Sequence, residues 1–328
     1  MKKKILGLLI VCILICTGCF NSNKDVVESF KNTVEKLDSY KINGILEIIN
    51  NENTYEYDVE VTYKKNDMFK VDLKNKTNDH QQIILKNVEG VYVLTPSLNK
   101  SFKFQSDWPY NNSQSYLLQN ILNDIENDDE KKIEQKENET IITTKVNYTN
   151  NKKLVKQKIY FDNDFNIKKV EVLNSEDIVK IRMNFSNIDI DIKIDDEYFN
   201  LDKNMNSTTT TTISTNTLES ALYPMYMPEN TYLQNEEKVS TEAGERIILT
   251  FAGDNPFMLI EETIDLNNDS IIPVYGEIEL LNDTIGYISD GVASWISNGI
   301  EYYAVSETMN NSELLEVVNS ISAIPVGK

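Results

Sequence analysis

The sequence predicts an α+β protein in which antiparallel strands outnumber helices, and three patterns point there. Between residues 42 and 194 apolar side chains recur mostly at every second position, the period of a half-buried strand. Two stretches, residues 26–38 and 116–125, switch to helical spacing. Beyond residue 218 Gly and Pro become frequent and punctuate short strands before a last helical stripe.

The amino terminus, residues 1–18, reads as a lipoprotein signal peptide. Lys2, Lys3 and Lys4 precede an apolar run over residues 5–15. That run has the length of a secretory core and falls short of the roughly 20 apolar residues of a membrane span. It ends at Cys16-Thr17-Gly18-Cys19, where small residues precede a cysteine as in a bacterial lipobox, although Cys16 stands where leucine is usual. Cys19 is therefore the expected lipidation site. At about 0.8 kcal/mol per buried methylene one acyl chain anchors marginally, whereas two anchor stably. Of the 3 cysteines, Cys12 and Cys16 leave with the signal peptide and Cys19 becomes a thioether, so no thiol or disulfide is expected in the mature chain. The formal net charge of -20 argues against nucleic acid and against adsorption on anionic lipid, leaving the acyl chains on Cys19 to hold the protein on the extracytoplasmic face of the membrane.

Residues 19–23 form a short polar tether, and Ser22 with Asp25 has capping-box spacing. Val26, Val27, Phe30, Val34 and Leu37 then line one face of a helix. In the strands that follow, Tyr55, Tyr57, Val59, Val61 and Tyr63 alternate with Glu56, Asp58, Glu60 and Thr62, and Phe69, Val71 and Leu73 with Lys70, Asp72 and Lys74. Strands are expected over residues 82–85, 91–95, 101–104, 140–148, 154–161, 167–173 and 178–194, with the second helix inserted after Trp108-Pro109 and a charged stretch over 126–139. Residues 24–204 thus read as one large antiparallel sheet with two helices. The Thr-rich segment 205–217 reads as a linker that reaches roughly 40 Å if extended at ~3.3 Å per residue. Residues 218–328 read as a smaller α+β domain, with Asn298-Gly299 as its hairpin turn and Leu314, Leu315, Val317, Val318 and Ile321 on a final helix stopped near Pro325.

Chemistry-bearing patterns are sparse. The 1 histidine, His80, lies in a polar loop and is read as a surface residue; with no mature thiol and no second histidine, a zinc cage cannot be assembled. No Gly-rich nucleophile elbow or phosphate loop occurs. Asp265, Asn267 and Asp269 start like a calcium loop, but Ser270 replaces the glycine of its sharp turn, so they read as a polar turn. Asp189, Asp191 and Lys193 read as the solvated face of a strand. No metal, cofactor or catalytic residue is assigned. On the apolar faces, Tyr55, Tyr57, Tyr63, Phe69 and Tyr92 either line a cavity closed by the two helices or pack beneath them as core; the pattern fits both.

The lipobox, the segment Val26-Val27-Glu28-Ser29-Phe30 running on to Leu37-Asp38-Ser39-Tyr40, the tyrosine-rich strands and Val91-Tyr92-Val93-Leu94-Thr95-Pro96 together resemble the LolA-like family of lipoprotein-carrier folds. Within it the chain is most similar to the lipid-anchored branch of spore-forming bacteria that includes GerS-type germination lipoproteins. The resemblance spans roughly residues 24–202. It implies an incomplete antiparallel β-barrel with a helical lid over an apolar cavity. Carriers of this family shuttle acylated lipoproteins, which a protein fixed through Cys19 cannot do, whereas germination lipoproteins license a cell-wall amidase without catalysing anything themselves. Residues 293–303 with the following helix resemble a module at the end of other membrane-tethered sporulation and envelope proteins. The function expected is thus a non-enzymatic envelope lipoprotein that positions a partner protein, possible wall amidases included, in sporulation, germination or wall remodelling. The alternative is a lipid or acyl-chain binder, and a peptidoglycan-acting enzyme ranks below both. Cys19→Ala is expected to move the protein from the membrane to the soluble fraction; retention of the variant on membranes would place the anchor elsewhere.

Overall fold

The computed structural model describes residues 22–50, 53–206, 218, 220–241, 244–264 and 271–321. The signal peptide, Cys19, linker residues 207–217, the 265–270 turn and Pro325 lie outside the described residues. Helix α1 (Ser22–Lys36) leads into six strands: β1 (Ser39–Asn50), β2 (Asn53–Lys64), β3 (Met68–Asn75), β4 (Gln81–Asn87), β5 (Gly90–Thr95) and β6 (Lys100–Phe104). Helix α2 (Leu118–Asn127) separates these from β7 (Lys132–Gln135), β8 (Thr140–Lys145), β9 (Leu154–Phe161), β10 (Ile167–Asn174) and β11 (Val179–Ile190). A 3-10 turn (Asp196–Phe199) and the short helix α3 (Leu201–Met205) follow. The second half contributes β12 (Thr231–Thr241), β13 (Gly244–Gly253), β14 (Phe257–Thr263), β15 (Ile271–Val274), β16 (Glu277–Leu280), β17 (Ile285–Ser289), β18 (Val292–Ser297), β19 (Ile300–Val305) and helix α4 (Asn311–Ser320).

The strands form a 12-stranded sheet, β15-β6-β5-β4-β3-β2-β1-β11-β10-β9-β8-β7, and a 7-stranded sheet, β12-β13-β14-β19-β18-β17-β16. Both are open, so the expected incomplete barrel is a sheet with two free ends. Period-two patterning sorts the large sheet into two faces. On β1 the residues Tyr40, Ile42, Leu46 and Ile48 are buried while Lys41, Asn43 and Glu47 are partly exposed. Gly44 sits at the register shift between β1 and β11, where a Cβ would stand 2.3 Å from the Asn184 carbonyl oxygen, so any larger residue would push the strands apart.

Helices α1 and α2 cover the apolar face. Val26, Phe30 and Val34, four residues apart, are buried, and Phe30 meets Phe161 edge-on at 5.3 Å. From α2, Ile121, Leu122 and Ile125 enter the same core, and Lys31 of α1 pairs with Glu126 of α2 at 2.6 Å. The opposite face is half covered by the 3-10 turn and α3, an element the sequence pattern did not announce; it buries Met68, Ile83, Leu85, Tyr92 and Leu94 around Phe199. Strand β11 ends at Ile190, earlier than expected, because the chain turns away there: the Asp191 N–H donates to the Ser39 carbonyl (2.7 Å) and its carboxylate accepts from the Asp38 N–H (3.2 Å). Asp191 thus clasps the start of β1 instead of continuing a solvated strand face.

The two halves are built into each other. Strand β15, from the second half, pairs in parallel with β6 and completes the first sheet. Two strands further in, buried Gln82 of β4 bonds to the β17 start: its carbonyl oxygen accepts from the Ile285 N–H (2.6 Å) and the Thr284 hydroxyl (2.9 Å), and its amide donates to the Ile285 carbonyl (3.2 Å). Gln82→Leu fills similar volume but strands buried groups of Thr284 and Ile285. It should cost about 1–3 kcal/mol and lower the Tm of the whole chain in calorimetry; an unchanged Tm would show that the junction carries no stability.

Candidate functional site

Where the halves meet, a cleft of about 730 Å³ opens. One wall is made by hairpin ends of the large sheet: Ile48 and Asn50 of β1, Asn53 and Tyr55 of β2, and Lys180 and Ile181 of β11. Loop residues Asn112, Gln114 and Tyr116, together with Tyr148 and Asn151, extend it. The facing wall comes from the second half through Ile278, Glu279 and Leu280 of β16, Leu315, Glu316 and Asn319 of α4, and Met225 with Tyr226 from the segment before β12.

Hydrogen bonds across the junction fix this geometry. The Asn50 amide donates to the Asn319 carbonyl (3.2 Å), as does that of Asn282 (2.6 Å), while the Tyr57 hydroxyl donates to the Asn282 carbonyl (3.0 Å). Lys153 pairs with Glu316 at 2.6 Å. Asn150 donates to Glu279 (2.7 Å) and accepts from Asn311 (2.9 Å) at the start of α4. Burial lifts the Glu279 carboxyl to about 7, against the Asn150 hydrogen bond and with the charge of Glu277 adding to the rise. Helix α4 itself starts cleanly, since the Asn310 side chain accepts from the Glu313 N–H and Glu313 reaches back to the Asn310 N–H.

The five aromatic residues singled out in the sequence separate into three environments. Tyr57 and Phe69 are buried in the core beneath the helices, where Phe69 meets Trp108 edge-on at 5.9 Å. Half-buried Tyr63 stacks on Tyr40 at 5.1 Å against the same core. Tyr55, one turn of the pleat nearer the hairpin end, lines the cleft. Tyr92 lies on the opposite face with Phe199, because on β5 it is Val91 and Val93 that enter the main core. The alternation thus brings four of the five to one face and sends Tyr92 to the other. His80, expected at the surface, is half-buried with no hydrogen-bond partner on Nε2, and burial depresses its pKa to about 4. Among the described residues no cluster of His, Cys, Asp or Glu is arranged to hold a metal ion, and no helix is long and apolar enough to cross a membrane.

Sequence patterns missed the cleft itself. Its residues sit at hairpin tips and in the segment 222–228, Leu-Tyr-Pro-Met-Tyr-Met-Pro, whose concentration of Tyr, Met and Pro outside any periodic element was the available signal. That segment is strapped to the second sheet through Glu261, a fully buried carboxylate on β14 whose two oxygens accept from the Leu222 N–H at 2.8 and 3.1 Å. The Met225 N–H donates to the Ser320 carbonyl at the end of α4 (3.3 Å). Burial, aided by the charge of Glu236, raises the Glu261 carboxyl to about 7, against the Leu222 hydrogen bond.

An open antiparallel sheet with helices across one face, extended by a second α+β unit that closes a cleft against it, defines a two-part α+β protein built on open sheets. The chain belongs to the YdcC-like sporulation protein family, whose model matches residues 2–199. The sporulation protein YdcC of Bacillus subtilis (strain 168) is 35% identical over 321 residues, covering 96% of this chain and 94% of that protein. The family shown is therefore the YdcC-like one. Similar solved structures include a chain of the Pseudomonas aeruginosa MucA/MucB complex, with 12% identity over 89% of this chain and 97% of that one at a TM-score of 0.33. A chain of the Clostridioides difficile CwlD amidase complex with the GerS lipoprotein has 18% identity over 53% and 97%, at 0.31. The LolA superfamily protein NE2245 of Nitrosomonas europaea has 12% over 56% and 99%, at 0.33.

The Glu261 site has a measurable pH signature. Its carboxyl takes up protons more readily folded than unfolded, so its contribution is fully present below the ordinary Glu range and is lost as pH rises through about 7. Glu261→Gln keeps an oxygen for the Leu222 N–H and removes the charge. Relative to wild type the variant should gain on the order of 3 kcal/mol between pH 4 and pH 8; a Tm difference that stays constant over that range would place the carboxylate in a wet environment.

Proposed function

We propose that the chain is a lipoprotein of the extracytoplasmic face of the cell membrane, anchored through Cys19, that binds and positions a partner protein during sporulation without catalysis of its own. The observation that carries this reading is the rim of the cleft. Met225 is 82% and Tyr226 43% exposed on a segment pinned at both Leu222 and Met225, so an apolar, adaptable surface is presented by backbone that is already ordered. Met and Tyr are the residue types enriched where proteins meet proteins, and pre-ordering the backbone lowers the entropy lost on binding. Membership of a sporulation family supplies the context. The resemblance to germination lipoproteins suggests the kind of partner, an envelope enzyme such as a cell-wall amidase, which an anchored protein would hold at the membrane surface.

The acyl-chain alternative is less favoured by the geometry. Tyr57 and Phe69, the residues expected to line a lipid cavity, are packed core, and the space that is open carries many side-chain amides whose burial against an alkyl chain would leave them unpaired. Crosslinking and affinity purification from sporulating cells tests the proposal. Wild type should recover one or more envelope proteins that the Met225→Asp/Tyr226→Asp variant loses by about ten-fold or more, at unchanged abundance and membrane attachment. Identical recoveries would remove the rim from the interface, and wall-degrading activity of the purified chain alone would overturn the non-enzymatic reading.

A further inference from the structure

We infer that the cleft between the two halves is a saccharide site, which takes a short uncharged oligosaccharide between its tyrosines and its side-chain amides. This goes beyond partner binding and does not rest on it. The volume of about 730 Å³ is well inside the roughly 300–1,000 Å³ typical of small-ligand sites, and exceeds what a single pyranose fills.

The lining has an unusual chemistry for its size. Seven of the residues around it are asparagines and an eighth amide comes from Gln114. A side-chain amide offers both donors and an acceptor, which matches a sugar hydroxyl or acetamido group, itself both donor and acceptor. Several of these amides are not consumed by the fold. Among the described residues the side chains of Asn53 and Asn151 have no hydrogen-bond partner, and the buried Asn319 Oδ1 is likewise unpaired. An unpaired buried acceptor costs stability unless a ligand or water satisfies it. Tyr55, Tyr148 and Tyr226 add aromatic faces, whose negative quadrupole suits the C–H faces of a pyranose ring.

Charge narrows the ligand further. Lys153 is neutralised by Glu316 at 2.6 Å, and Glu279 is held by Asn150 at 2.7 Å. Lys180 is then the one lining cation outside an ion pair among the described residues. Phosphate-rich ligands call for clustered cations and forked guanidinium donors, which this lining lacks. An alkyl chain would leave the amides unsatisfied. A neutral, hydroxyl-rich and partly apolar molecule meets every group present.

The test uses the full-length chain in a zwitterionic micelle free of sugar headgroups, titrated by calorimetry and followed by saturation-transfer NMR. The probes are tri-N-acetylchitotriose, N-acetylglucosamine, a wall stem pentapeptide and palmitate. The trimer is expected to bind, and the monomer to bind about ten-fold or more weakly. Asn53→Ala/Asn151→Ala and Tyr226→Ala, all at solvent-reachable positions, should each weaken the trimer by about five-fold or more with Tm unchanged. Absence of trimer binding at millimolar concentration overturns the inference, as does trimer binding that neither variant alters. Binding of the peptide or of palmitate in place of the trimer, sensitive to the same variants, also overturns it and reassigns the cleft to that ligand.

Discussion

The cleft depends on one constraint: the second half of the chain is not free to move as a domain on a linker, because part of it completes the first sheet. Strand β6 would otherwise end that sheet with a row of unpaired N–H and C=O groups, a template for aggregation. Strand β15 satisfies that row, and its Pro273, which lacks an N–H, sits where no further strand is added. Gln82 then ties β4 to the start of β17 through three buried contacts. With strand pairing on one side and a buried polar anchor on the other, the spacing between the hairpin ends of β1 and β2 and the facing helix α4 is set by covalent geometry and hydrogen bonds. A binding surface held this way loses little entropy on engaging a ligand.

Charge is deployed differently on the exposed faces and at the junction. On the solvated face of the large sheet, Lys41–Glu60 (2.7 Å), Arg182–Glu47 (2.6 Å) and Arg182–Glu171 (3.0 Å) run across neighbouring strands. Such half-exposed pairs are worth about 0–1 kcal/mol each, so their contribution is to register, since a one-residue slip would send them into the apolar layer. The other free edge, β7, carries Lys132 and Glu134, which blunt it against edge-to-edge pairing. By contrast Asp124, Glu261 and Glu279 are carboxyls raised to about 7 by burial, and each is held by a donor from a different element: Ser113 and Gln157, Leu222, and Asn150. These groups trade stability for fixed placement of the loops that border the cleft.

Much of the strand architecture was legible because one face of each strand is wet. The run from Tyr55 to Tyr63 alternates cleanly and forms β2 as expected, and Asn298-Gly299 turns with φ of 50° and 77°, the left-handed pair that a tight hairpin demands. Legibility failed where burial is two-sided. On β5 every residue from Val91 to Thr95 is buried, since Val91 and Val93 enter the main core, Val93 beside Ile285 and Tyr287 of the second half, while Phe199 and α3 cover the other face, so the period that would have shown Tyr92 pointing away from that core is erased. Strand β15 is too short and too displaced in sequence for any local pattern to reveal its parallel partner. The cleft was invisible for a related reason: it draws on Asn50, Asn53, Tyr226 and Asn319, which are remote in sequence and carry no shared motif.

The short distance between the proposed anchor and the folded body gives the arrangement its functional logic. Helix α1 begins at Ser22 and already buries Val26 against the core, so with Cys19 as the proposed anchor only residues 19–21 precede the helix, a reach of about 10 Å at full extension. A body anchored in that way could not carry cargo across the envelope and would sample partners only within a thin layer above the bilayer. That confinement would raise the effective concentration of any membrane-bound or wall-bound partner and would allow weak individual contacts at the cleft and its rim to suffice. Exposed Met and Tyr side chains at the rim and unpaired amides inside are the contacts expected of a protein that relies on such confinement. The acidic balance of the chain, a formal net charge of -20 over all 328 residues, would at the same time repel it from anionic lipid. On the proposed anchoring, tether and charge together would hold the cleft-bearing fold just above the bilayer, with its binding surfaces open to the envelope.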